Sequence, residues 1–272
     1  MMKLLDGREL ADYIKNRQLK EVSTLRINYK KNPKLAIVQL KDDPIIDIYV
    51  RLKKKYGEEI GINVERHNVK QIDSLETIKK LNNDETVDGI IVQLPVEVPS
   101  QLDEILNSVS LDKDVDALAL GTKFDPATPT AILWLLAGYN IDLAGKKILI
   151  VGNGKLVGQP LSKMLIASGN KVTVADINTN DLANISLQSD IIITATGSPG
   201  VLKSSMLKPG SVVVDAGVTT DKGKTVGDLD EDVRLRNDLI LTPIKGGVGP
   251  LTICALFSNV IKSAQKSVMH IN

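Results

Sequence analysis

Lys147-Ile148-Leu149-Ile150-Val151 runs directly into Gly152-Asn153-Gly154-Lys155-Leu156-Val157-Gly158, and the reading of this stretch decides the fold. An aliphatic run of this length, rich in β-branched residues and stopped by glycine, reads as a buried strand. Gly152 permits a tight turn, and Gly154 lets the backbone approach a pyrophosphate. The helix that opens near Gly158 then turns its orphan N–H groups toward that anion. The third glycine stands one residue later than in G-x-G-x-x-G, and a lone glycine loop also serves as a plain turn. The neighbouring segments decide between the two readings.

Downstream, residues 158–168 read as a helix and Lys171-Val-Thr-Val-Ala-Asp176 as the next strand. Asp176 thus ends a strand about 20 residues past the loop, where an acid meets the adenosine ribose hydroxyls. An exposed carboxylate at a strand-end turn is the plainer alternative. Two further strands, Asp190–Thr194 and Ser211–Asp215, are followed by Ala195-Thr196-Gly197 and Ala216-Gly217-Val218. Both place small residues at the carboxyl ends of strands, where an open α/β sheet forms its ligand crevice. The candidate dinucleotide contacts are therefore Gly152, Asn153, Gly154, Gly158, Asp176, Thr196, Gly197 and Val218.

Upstream, residues 9–30 read as an amphipathic helix and Leu35–Leu40 as a strand. Asp43-Pro44 then starts a helix running to about Tyr56, with Gly57 just past its end. Residues 61–69 read as a strand, 73–83 as a helix, and Gly89–Leu94 as a strand stopped by Pro95. Ser100 with Asp103 resembles an N-cap opening a helix to about Val109. A Gly/Pro/Thr-rich connector over 121–130 leads to a helix at 131–137, and a last helix covers about 250–266. The alternation of strands and helices predicts an α/β protein with parallel sheets.

The 272 residues suffice for two modest domains. With 34 Lys and Arg against 33 Asp and Glu, the formal charge of +1 disfavours a general nucleic-acid scaffold. Cys254 is the only cysteine, so neither an intrachain disulfide nor a cysteine metal cluster is available, which fits a reducing compartment. No apolar run reaches the length of a membrane span, and the N-terminus lacks a signal-peptide pattern, so a cytoplasmic protein is expected. His67 and His270 are far apart in sequence and do not propose a metal site.

In the first half, Tyr49 and Lys53 stand one helical turn apart and share a face. With Lys54 and Lys55 following, a solvated basic face is the plainer reading. Gln93 ends an aliphatic strand, where an amide needs a partner. Asp112, Asp114 and Asp116 are spaced like metal ligands, but Lys113 sits among them and the glycine and terminal glutamate of a calcium loop are missing.

Together these residues carry a specific resemblance. Tyr49-Val-Arg-Leu-Lys53, Val92-Gln-Leu-Pro95, Lys113-Asp-Val-Asp116, Pro126-Ala-Thr-Pro129, Gly152 to Pro160, Gly227-Asp228 and Thr242 to Pro250 occur in the order found in the bifunctional methylenetetrahydrofolate dehydrogenase/cyclohydrolase family. The resemblance implies a folate-binding catalytic domain of residues 1–120 with 250–272, the last helix returning to it, and a Rossmann-type NAD(P) domain of residues 121–249, set around a cleft, together with a homodimer, no metal, and a place in one-carbon supply for purine and related biosynthesis. It implies Lys53 as the catalytic lysine, Gln93 as its partner, Tyr49 against the folate ring system, and Asp116 as the pterin anchor. Gly247 and Pro250 then lie in a loop beside folate and nicotinamide. NADP is the cofactor the resemblance favours, and Asp176 keeps NAD open. Lys155 and Lys171 are the cations considered for a 2′-phosphate.

The chain departs from the family's pattern at several points. Ile46 stands for a serine, Ala117 for a glycine and Ala127 for a cysteine. The stretch between Asp116 and Pro126 is shorter than usual. Asn153-Gly154 replaces an arginine–serine pair, and Lys245 replaces a proline. A dehydrogenase without cyclohydrolase activity, a different dehydrogenase sharing only the nucleotide half, and a non-catalytic dinucleotide sensor are the competing expectations.

Overall fold

The computed structural model describes residues 3–221 and 224–269. Its contacts divide the chain into two compact units, Asp12–Ala127 with Ile253–Asn272, and Met1–Ala11 with Thr128–Thr252. In chain order the elements are β1 (Lys3–Leu4), α1 (Gly7–Tyr29), β2 (Lys34–Gln39), α2 (Pro44–Ile60), β3 (Asn63–Asn68), α3 (Ser74–Asn83), β4 (Gly89–Gln93), α4 (Leu102–Asn107) and α5 (Ala127–Gly138). There follow β5 (Lys147–Val151), α6 (Gly158–Ala167), β6 (Lys171–Ala175), α7 (Leu182–Gln188), β7 (Ile191–Thr194), β8 (Val212–Asp215), β9 (Thr219–Asp221), β10 (Lys224–Val226), β11 (Ile240–Leu241) and α8 (Val248–Met269). The two units divide within α1, at the start of α5 and within α8.

The first unit is built on a three-stranded parallel sheet in the order β3-β2-β4, with Gln39 in register with Gln93. The two strands β2 and β4 are aliphatic because both of their faces are covered, whereas the edge strand β3 is mostly polar and partly exposed. Ala36, Val38, Leu40, Ile90 and Val92 pack with Ile78, Leu81 and Ile105 into one core. Helix α2 shows why its sequence is helical. The Asp43 carboxylate accepts from the Ile45 N–H at 2.8 Å, Pro44 occupies the first turn, and Ile46, Val50, Gly57 and Ile60 form the buried stripe.

Three expected boundaries differ in the structure. Helix α2 does not stop at Gly57, which is buried inside it. A Cβ there would meet Val64 Cγ2 at 2.4 Å, so this glycine allows the helix to lie close on β3. The stop is Gly61, left-handed with φ 82°. Ser100 does not cap a helix either: a short 3-10 turn covers Pro99–Gln101, and α4 begins after it without a side-chain cap. The connector before α5 is also shorter than expected, since Pro129 is accommodated in that helix's first turn, where its missing N–H breaks no hydrogen bond.

The second unit holds a six-stranded, wholly parallel sheet in the order β1-β11-β8-β7-β5-β6. Leu149, Val151, Ile192, Val213 and Leu241 form its core with Leu202, Leu207 and Val233. After β5 the chain moves to one side to make β6 and then returns past β5 to make β7, so the strand order reverses beside β5. Residues 3–11 pack with this unit in the structure. Lys3 and Leu4 pair with Ile240 and Leu241 and close the sheet's edge. Strands β9 and β10 form an antiparallel hairpin that the sequence reading did not anticipate.

Candidate active site

In the first unit the carboxyl end of β4 delivers Gln93, and one face of α2 delivers Lys53. The Lys53 Nζ donates to Gln93 Oε1 at 2.6 Å, and the Gln93 Nε2 donates to the Leu94 carbonyl at 3.1 Å. The second bond fixes which end of the amide faces the lysine. Burial lowers the Lys53 pKa below the ordinary lysine value, and the Asp116 charge opposes that shift. Asp116 is half-buried. Burial raises its pKa, while Lys53 pulls it down and Asp114 adds to the rise. No hydrogen bond among the described residues ties the Asp116 carboxylate down, so its acceptors stay available. Tyr49 stands one turn before Lys53 on α2 and is 41% exposed.

The rest of the Lys113–Asp116 run holds the backbone. Lys113 Nζ donates to the carbonyls of Leu81, Asn82 and Asp84 at 3.0, 2.8 and 2.7 Å, capping the end of α3. The Asp114 carboxylate accepts from the N–H groups of Leu118 and Ala119. These bonds turn the chain sharply after Asp116, and Ala117 takes a left-handed conformation with φ 60°. The three aspartates therefore do not converge. Among the described residues no group of three His, Cys, Asp or Glu could hold a metal; His270 lies outside those residues.

In the second unit every strand of the main sheet points the same way, so the loops after β5, β6, β7, β8 and β11 gather at one edge. Gly152 has φ 110°, and a Cβ there would meet the Ala195 carbonyl oxygen at 2.5 Å. At Gly158 a Cβ would lie 1.8 Å from the Gly152 oxygen, so this third glycine permits helix and strand to approach. The one-residue shift from G-x-G-x-x-G leaves that role intact. Nothing lies within 4 Å of a Cβ built on Gly154, and α6 starts without a side-chain cap. An open glycine facing an uncapped helix start is a cradle that fits a dinucleotide pyrophosphate.

At the end of β6 the Asp176 Oδ1 accepts from the Asn178 N–H at 2.9 Å and from Thr179 Oγ1 at 3.4 Å. One oxygen is thus turned into its own loop, and the other is left at the strand end. Lys171 begins the same strand. Five residues at ~3.3 Å each put it roughly 16 Å away, at the sheet's opposite edge, and its pairing with Lys147 confirms that position. It does not serve the phosphate role considered for it. Thr196, Gly197 and the exposed Val218 follow β7 and β8 at the glycine-loop edge. After β11 the carbonyl of Gly246 accepts from the Gly7 N–H at 2.7 Å, which fixes the turn leading through Gly247 into α8 and Pro250.

The catalytic-domain profile of the tetrahydrofolate dehydrogenase/cyclohydrolases matches residues 5–116, and their NAD(P)-binding-domain profile matches residues 126–268. The chain belongs to this family. It is 37% identical to the bifunctional protein FolD of Aquifex aeolicus, over 100% of this chain and 98% of that one. The crystal structure of the bifunctional methylenetetrahydrofolate dehydrogenase/cyclohydrolase of Campylobacter jejuni superposes with a TM-score of 0.91 at 38% identity, covering 98% of this chain and 99% of that one. A Trypanosoma brucei enzyme of the same family, complexed with NADP and an inhibitor, gives 0.89 at 29% identity, covering 98% of each. This chain is accordingly an NAD(P)-dependent dehydrogenase and cyclohydrolase of folate one-carbon chemistry. No described helix is long and apolar enough to cross a membrane.

The sequence reading did not single out the hydrogen-bonded group of Asp228 and Arg234 at this edge of the sheet. Asp228 entered only as part of a matching dipeptide. A buried acid after a glycine was the available signal, but its partners lie some 30 residues away in the chain.

Proposed function

We propose that Lys53, Gln93, Asp116 and Tyr49 carry the folate chemistry, and that residues 152–158, 176, 196–197 and 218 hold the dinucleotide. The first step oxidises 5,10-methylenetetrahydrofolate to the 5,10-methenyl cation, and NAD(P)+ supplies the hydride acceptor. In the second step water adds to the methenyl carbon, a proton is released, and ring opening gives 10-formyltetrahydrofolate. Lys53 takes up the proton from the attacking water or passes one to the collapsing adduct. The direction of its pKa shift supports this role, since lowering the pKa raises the share of neutral amine that can act as a base. Gln93 Oε1 holds the Lys53 nitrogen in either protonation state and adds no charge of its own. The open acceptors of Asp116 suit two pterin N–H groups. Tyr49 offers a flat, exposed surface for the ring system. Gly247, just before α8, and Pro250, in the first turn of that helix, face folate and nicotinamide.

The observation that carries this reading is the 2.6 Å Lys53–Gln93 bond, together with the coupling of Lys53 to Asp116. NADP is the cofactor of first choice, with NAD accepted. The enzyme works as a homodimer in the cytoplasm, and its folate-binding and nucleotide domains divide near residues 120 and 250. The test is a spectrophotometric assay of both steps in wild type and Lys53→Met. The variant is expected to lose methenyl hydrolysis by about 100-fold or more while still binding NAD(P), in line with a general base contributing ~10²–10⁴ in rate. Full hydrolysis by Lys53→Met would remove the lysine from the mechanism.

A further inference from the structure

Two buried aspartates interlock at the carboxyl edge of the six-stranded sheet. Asp228 is 0% exposed. Its Oδ2 accepts from the Thr196 N–H at 2.7 Å, and its Oδ1 accepts from the Ser198 N–H at 3.0 Å. Asp215 ends β8. Its Oδ1 accepts from the Asp228 N–H at 3.0 Å, the Gly217 N–H at 3.2 Å and Thr194 Oγ1 at 3.3 Å. Its Oδ2 accepts from the Leu229 N–H at 3.3 Å and Arg234 Nη2 at 3.1 Å. Arg234 also donates to the Thr242 carbonyl, and Thr242 Oγ1 accepts from the Asp215 N–H at 2.9 Å.

The fit is reciprocal. A Cβ on Gly217 would strike the Asp228 carboxyl carbon at 2.1 Å, and a Cβ on Gly227 would strike Asp215 Oδ2 at 2.1 Å. Each carboxylate rests on the glycine of the other's segment. Burying two carboxylates this close is unfavourable unless their acceptors are filled. Here backbone N–H groups and one guanidinium fill them, so the backbone of 196–198, 217 and 227–229 is pinned by side chains from elsewhere in the unit.

We propose that Asp228 is a positioning residue for the dinucleotide. Its two carboxylate oxygens set the path of Thr196–Ser198, and Asp215 with Arg234 sets Asp228. The inference rests on the reading that the 196–197 segment faces the cofactor. Replacing Asp228 with Asn keeps the shape but changes one acceptor into an NH₂ donor. Either the Thr196 or the Ser198 N–H then meets another donor, and the segment has to shift.

The experiment compares wild type with Asp228→Asn in both half-reactions. The KM for NAD(P) in the dehydrogenase step is expected to rise tenfold or more. Hydrolysis of supplied methenyltetrahydrofolate, which uses no dinucleotide, is expected to stay within twofold. A purely structural role would lower both activities together, and an unchanged KM in a folded variant would equally overturn the proposal. If Asp228→Asn does not fold, amide hydrogen exchange in the cofactor-free wild type decides instead. The Thr196 and Ser198 amides must be protected, and exchange at unprotected rates refutes the clamp. Gly197→Ala separates the two layers of inference, because φ 67° at this residue makes any side chain strain the segment directly. If Gly197→Ala raises the NAD(P) KM and Asp228→Asn does not, the clamp fails and the loop reading stands. If neither does, both fall.

Discussion

Lys53 is held between opposing influences, and their signs make a test. Burial favours the neutral amine and lowers the pKa, whereas the Asp116 charge favours the ammonium and raises it. If the amine is the working form, cyclohydrolase activity rises with pH along a limb whose midpoint lies below 10.5, the ordinary value for lysine. Asp116→Asn removes the influence that raises the pKa, so the midpoint must move to still lower pH, even though folate affinity falls. A pH–rate profile at saturating methenyltetrahydrofolate checks this; a midpoint that stays or moves upward contradicts the assignment. Asp176 gives a second residue-scale expectation. On the proposed reading its other oxygen stays at the end of β6, where a 2′-phosphate would meet a carboxylate. Asp176→Ser keeps a side-chain oxygen for the turn and removes the charge. The kcat/KM ratio of NADP over NAD is expected to rise roughly tenfold, equivalent to ~1.4 kcal/mol. Kinetics with both cofactors measure it, and a constant ratio would mean that this acid does not sense the ribose edge. The pairing of Lys53 with Gln93 was legible because motif order set the two side by side. The clamp of Asp228 on Thr196 and Ser198 was not, because it joins segments that no local pattern connects.

Local signals read helices and strands well where the chemistry was local. Asp43-Pro44 started α2 as its capping residues require, and β2, β4 and β5 stood where their aliphatic runs lay. They misled where tertiary packing gave a residue another duty. Gly57 resembled a stop but serves the contact between α2 and β3, and Ser100 had the right neighbours for a cap but lies in a 3-10 turn. Ala117 is the reverse case, in which a departure from the family's glycine acquires a physical meaning. With φ 60°, an alanine in the left-handed region carries ~1–2 kcal/mol of steric strain. Glycine would relieve it while adding ~0.4–1 kcal/mol of unfolded-chain entropy. Ala117→Gly should therefore stabilise the protein by ~0.5–1 kcal/mol, and Ala117→Val should destabilise it further. Urea titration of both variants reads the effect as opposite shifts of the midpoint. Equal midpoints would show that the Asp114 loop relaxes around the side chain.

At the scale of the molecule, two parallel α/β units follow from the alternation of strands and helices, and the glycine loop identifies which unit takes the nucleotide. Where the N-terminus belongs does not follow. A two-residue strand has no periodicity to detect, and Lys3–Leu4 becomes β1 only because β11 presents an unpaired edge. That pairing bears on the order in which the chain matures during synthesis. The three strands of the first sheet are all present once residue 93 has been made, and their pairings span far less of the chain than that of Lys3 with Ile240. The second sheet finds its last partner only when Ile240 and Leu241 emerge. At ~5–20 residues per second Lys3 and Leu4 wait on the order of ten seconds or more for the strand they join. They leave the ribosome well before their partner strand and are among the last residues to be tied into the sheet.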